Sequence, residues 1–107
     1  MNTVASISHG ISENLIQRCA DVTIKEGRKL VIVPRESPLS TIHLENMLRL
    51  AKLGTTIVTP DPAFYLHPQS IDDVTDFVVS RALVASGVTD SLPSHLQYDK
   101  SDKDPLF

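Results

Sequence analysis

Along the chain, apolar residues recur at helical spacing, then gather in short unbroken runs, and the two patterns take turns. Residues 3–9 predict a short helix, capped by Asn2 or Thr3 and stopped by Gly10. Residues 13–26 predict a second helix, with Ser12 as N-cap and Gly27 just past its end. In it Leu15, Cys19 and Val22 fall at i, i+4 and i+7 and are expected to form the buried stripe. Leu30-Val31-Ile32-Val33 is a β-branched run closed by Pro34, the pattern of a strand buried on both faces. Residues 41–53 predict a third helix, capped by Ser40 or Thr41 and ended by Gly54, with Leu44, Met47, Leu48 and Ala51 as its stripe. Thr55-Thr56-Ile57-Val58 reads as a second strand, closed by Pro60. Residues 71–86 predict a fourth helix, opened by a Ser70/Asp73 capping box and stopped by Gly87. Helix and strand in alternation imply an α/β fold with a parallel sheet.

Past Gly87 the pattern fades. Asp90, Asp99, Lys100, Asp102, Lys103 and Asp104 stand among scattered apolar residues. The expected organisation is therefore one domain portion over residues 1–87 and a poorly ordered tail over 88–107. Two strands are few for a doubly wound sheet, which needs helices on both faces of a wider array. The pattern reads as half of such a fold.

Composition narrows the classes. Hydrophobic residues make up 41% of the 107, but aromatics only 5% with no Trp, so the core must be aliphatic. A net charge of −3 argues against a nonspecific nucleic-acid binder, which is usually basic. The single cysteine, Cys19, forms no internal disulfide and no zinc spacing. With an N-terminus that lacks the marks of a signal peptide, this gives a reducing cytoplasm as the expected location. No apolar run reaches the roughly 18 residues of a membrane helix.

Several residues could carry chemistry. Arg18 and Lys25 lie seven apart, close to two turns, and project from one helix face; they either hold a phosphate or form a solvated face with Asp21. Arg35 and Glu36 follow the first strand, at the end of an open α/β sheet where ligands bind, and are either an anion and proton site or an ordinary charged turn. Tyr65, after the second strand, offers a ring with a hydroxyl handle or simply packs in its loop. Arg81, four residues past Phe77, either snorkels or enters a polar site. His9, His43, His67 and His95 show no metal spacing, and no phosphate loop or nucleophile elbow is present.

Taken in order, certain segments resemble one family. They are Ser12-Glu13-Asn14-Leu15 with Arg18-Cys19-Ala20-Asp21-Val22 and Lys25-Glu26, then LVIVPRESP from Leu30 to Pro38, and Ile42 to Leu48. Pro62-Ala63-Phe64-Tyr65, His67-Pro68 and Ser70 to Val74 complete the set. The chain resembles the UbiX-type flavin prenyltransferases, formerly labelled aromatic acid decarboxylases, from Met1 to about Gly87. The resemblance implies a flavodoxin-like (Rossmann-like) sheet, here only its C-terminal half, with the Gly-rich FMN phosphate loop lying in an N-terminal half outside these residues. It implies a homo-oligomer that moves a dimethylallyl group from dimethylallyl monophosphate to reduced FMN, without a metal, and supplies prenylated FMN to a UbiD-type decarboxylase. By the same resemblance, Met1, Asn2, Thr3 and Arg35 contact FMN, and Arg18, Lys25, Tyr65 and Arg81 surround the prenyl phosphate. Glu36 handles the proton. Asp61 and Cys19 depart from the family pattern, where an apolar residue and Ala are usual. Two rival readings remain. One is a truncated, non-catalytic paralogue acting as an assembly partner. The other is a direct aromatic acid decarboxylase, disfavoured because carboxylate loss needs an electron sink.

Overall fold

The computed structural model describes residues 1–97. It holds two compact units, Met1–Pro60 and a second beginning at Asp61. The first contains α1 (Asn2–Ser8), α2 (Leu15–Lys25), β1 (Val31–Ile32), α3 (Thr41–Lys52) and β2 (Thr56–Ile57). The second contains a 3-10 turn at Phe64–Leu66, α4 (Ile71–Ser86) and another 3-10 turn at Ser94–Leu96.

The helix ends explain why these segments fold where they do. Asn14, not Ser12, caps α2: its side chain accepts from the Gln17 N–H at 2.8 Å, so the helix starts two residues later than its apolar pattern suggests. α1 is capped by Met1 with no side-chain bond, rather than by Asn2 or Thr3, which lie at or inside its first turn. Ser40 caps α3 in a reciprocal box with His43, its hydroxyl accepting from His43 N–H and the ring accepting from Ser40 N–H. At α4 the Ser70 hydroxyl accepts from Asp73 N–H, but the Asp73 carboxylate reaches one residue further back, to Gln69 N–H at 2.8 Å. Each helix ends on a glycine in the left-handed region. At α3, Gly54 has φ +93°, its N–H bonds Ala51 and the next N–H, of Thr55, bonds Leu50. That pair of bonds satisfies carbonyls the last turn would leave open and turns the chain directly into β2.

β1 and β2 pair in parallel, Val31 opposite Thr56 and Ile32 opposite Ile57. This is the α/β arrangement with a parallel sheet that alternation implied. Beneath it lies an aliphatic core of Val4, Ile7, Ala20 and Leu50, with Met1, Ile24, Leu30, Ile32 and Met47 packed against it. α1 crosses both α2 and α3. One buried polar pair fixes that crossing: the Ser8 hydroxyl donates to Asn46 Oδ1 at 3.2 Å, and both residues are buried.

The expected faces are corrected here. In α2, Leu15, Cys19 and Val22 are exposed, while Gln17 and Ala20 are buried. Ala20 is small enough to sit in the cluster where α1 meets α2, which a larger side chain would hold apart. In α3 the buried residues are Asn46 and Leu50; Leu44, Leu48 and Ala51 are exposed and Met47 is half-buried. Asn46 turns inward because Ser8 gives it a partner. Val31 and Ile32 are only half-buried and Val33 is exposed, because a two-stranded sheet leaves β1 with one paired edge. No α4 residue is fully buried. Of the expected tail, Ser94–Leu96 form a turn with Leu96 buried, and residues 98–107 lie outside the described residues.

Candidate functional site

The first unit carries an open cavity of about 630 Å³ alongside β1, lined by the chain from Leu30 to Arg35. Its walls are the apolar face of α2 (Leu15, Ile16, Cys19), the strand residues 30–33, and Met1, Thr3, Val4 and Ile7 of the α1 region. Pro34 and Arg35 close the rim. The volume lies within the roughly 300–1,000 Å³ range of small-molecule sites. Apolar walls with one arginine among them suit an apolar ligand that carries some negative charge better than a sugar. Among the described residues no three His, Cys, Asp or Glu side chains come close enough together to hold a metal.

Of the residues singled out from the sequence, Met1, Thr3 and Arg35 meet in this cavity. Asn2 is exposed in the first turn of α1 and is not among its walls. Glu36 follows the rim; its carboxylate is exposed and accepts from the Ser37 N–H at 3.3 Å. Arg18 and Lys25 share an exposed face of α2, roughly 105–130° round the helix from the centre of the Leu15, Ile16 and Cys19 face that walls the cavity. The same helix thus presents an apolar surface on one side and two cations on another.

In the second unit, Tyr65 belongs to the Phe64–Leu66 turn, and its ring meets Phe77 of α4 edge-on, 6.5 Å between centroids and 86° between planes. Such a T-shaped pair fixes ring orientation. Arg81 is exposed one turn past Phe77, on the same side of α4. A smaller cavity of about 140 Å³ lies in this unit, lined among others by Ala63, Phe77, His95 and Leu96.

The sequence reading missed the walls of the larger cavity. Leu15 and Cys19 read as core because they are apolar at helical spacing, a pattern that a cavity wall shares with a packed face, and Ile16 lies off that stripe. The second cavity had no sequence signal either, because Leu96 lies in a stretch that otherwise looks polar.

Comparison with known proteins adds a second line of observation. The Flavoprotein family model matches residues 1–83. A flavin prenyltransferase, LpdB, from Lactiplantibacillus plantarum is 62% identical over 85 residues, covering 79% of this chain and 46% of that protein. A solved dodecameric FMN-dependent UbiX-like decarboxylase from Escherichia coli O157:H7 superposes with a TM-score of 0.83 at 48% identity, over 92% of this chain and 52% of its own. The structure of AnUbiX in complex with FMN and dimethylallyl pyrophosphate gives a TM-score of 0.78 at 48% identity, over 80% of this chain and 46% of its own. The chain spans about half the length of the curated relatives it matches.

Proposed function

The chain belongs to the flavoprotein family, and from that premise we propose that it forms part of a flavin prenyltransferase, joining a dimethylallyl group to reduced FMN. The observation that carries the reading is the cavity alongside β1, where an apolar pocket of flavin-accommodating size meets Arg35. The similarity to a prenyltransferase and to an FMN complex supports it.

In this reading Met1, Thr3 and Arg35 hold the flavin, with Asn2 beside them; the guanidinium of Arg35 holds negative charge at the cavity rim. Reduced FMN, when bound, supplies the electron-rich ring atoms that receive the prenyl carbon. The donor is dimethylallyl monophosphate, whose leaving group is phosphate. Arg18, Lys25 and Arg81 provide the cations that stabilise its departure, and Tyr65 donates its phenolic hydrogen. Glu36, exposed beside Arg35, accepts the proton released when the flavin ring regains aromaticity. The product passes to a UbiD-type decarboxylase. The protein works as a homo-oligomer, a reading that the dodecameric relative supports, and it works in the cytoplasm.

The test is formation of prenylated FMN from reduced FMN and dimethylallyl monophosphate in the full-length assembly. Arg81→Ala removes a charge-assisted contact of roughly 1.5–3 kcal/mol, on the order of 10- to 150-fold in kcat/KM. Tyr65→Phe costs less, because the ring and its packing on Phe77 stay. Arg49→Ala, on exposed α3 surface, is the control. If Arg81→Ala matches Arg49→Ala while circular dichroism shows both folded, Arg81 holds no phosphate.

A further inference from the structure

The segment after α4 departs from its polar composition in one respect. Leu96 is only 7% exposed, as buried as Ala63 at 6%. Both line the 140 Å³ cavity of the second unit, together with Leu66, Val74 and Phe77. The turn carrying Leu96 is internally fixed: Leu96 N–H bonds the Pro93 carbonyl at 2.9 Å, and the Gln97 side chain donates to the Leu92 carbonyl at 2.7 Å. This stretch thus holds its own turn and buries one apolar side chain. Phe77, which lines the same cavity, is the ring that meets Tyr65.

We propose that the stretch from Leu92 to Gln97 is a strap, and that Leu96, which lines the same cavity as Phe77 and Ala63, is a positioning residue that holds the Tyr65 ring in its orientation. Ala63 precedes the turn that bears Tyr65, and Phe77 abuts the ring itself, so Leu96 borders both supports of one side chain. Emptying the Leu96 seat frees Phe77 to shift into the vacated space, and the edge-on geometry at Tyr65 goes with it. The role of that orientation in phosphate departure rests on the prenyltransferase reading; the strap itself does not.

The experiment labels the chain with 3-fluorotyrosine. The chain has two tyrosines, and Tyr98→Phe leaves Tyr65 as the single fluorine probe. In this background, Leu96→Ala and a chain ending at residue 92 are expected to shift or broaden the Tyr65 resonance alike, while Leu96→Met, which refills the seat, keeps it. In the full-length enzyme, Leu96→Ala is expected to lower kcat/KM by no more than Tyr65→Phe does, because it acts only through the placement of that hydroxyl. It should add little when Tyr65 is already Phe. A Tyr65 resonance unmoved by both Leu96→Ala and the shortened chain overturns the strap. A moved resonance in a protein that makes no prenylated FMN upholds the strap and discards the prenyl-phosphate reading instead.

Discussion

Ser8→Ala isolates the hydrogen bond that ties α1 to α3. The Ser8 hydroxyl donates to Asn46 Oδ1 at 3.2 Å across 38 residues of sequence, and the two residues are 7% and 5% exposed. Removing the hydroxyl deletes one neutral bond and leaves a buried amide oxygen without its donor. The desolvation penalty then dominates, and the cost is about 1–3 kcal/mol rather than the smaller net value of a surface bond. That is roughly a 5- to 150-fold fall in the folded-to-unfolded ratio. Ser8→Ala combined with Asn46→Leu replaces both polar partners by apolar groups of similar size, and should recover most of the loss. Urea unfolding followed by helix circular dichroism measures Ser8→Ala, Asn46→Leu and the double variant, with the slope checked for constancy. The effect reaches the cavity because α1 also carries Thr3 and Val4 into its wall. A single variant costing under about 0.5 kcal/mol, or a double variant worse than the sum of the singles, would refute the account of a buried bond that fixes the helix crossing.

Leu50, with no exposed surface, is expected to cost about 2–5 kcal/mol as Leu50→Ala, whereas Leu48→Ala on the same helix, at a site 54% exposed, should stay near neutral in the same urea assay. Gly54→Ala meets no atom within 4 Å, so its cost comes from the backbone alone: at φ +93° a Cβ costs about 1–2 kcal/mol, and Gly54→Asn should recover part of it in thermal unfolding. Thr55→Val removes a buried hydroxyl that has no partner among the described residues, and should leave stability unchanged or raise it by about 1 kcal/mol; a clear loss would mean that the hydroxyl is satisfied in solution.

The helices were legible because their boundaries are written locally. Ser40 and Ser70 are caps whose side chains bond three residues on, and a glycine stands just beyond each helix end. Neither signal depends on anything distant. Which face each helix buries was not local. Asn46 is polar at a position that periodicity assigns to solvent, and it is buried only because Ser8, from another helix, completes its bonding. Ala20 is buried because it is small at a helix crossing, while the larger Leu15 lies 77% exposed on the same helix. Apolar spacing reports that a stripe exists; the partner that covers it decides how much of the stripe leaves water.

The candidate site divides in the same way. Arg35 was legible, because a charged residue directly after an α/β strand stands where such sheets bind ligands, and it is found at the cavity rim. Arg18 and Lys25 were legible as a pair, since seven residues return to nearly the same helix face. The space that this face looks into was not. β1 and α1 fix the side of α2 that becomes cavity wall, and that side carries Leu15, Ile16 and Cys19. Arg18 and Lys25 project from a face of α2 that is not among these walls. The two charges and the cavity thus occupy different surfaces of one helix.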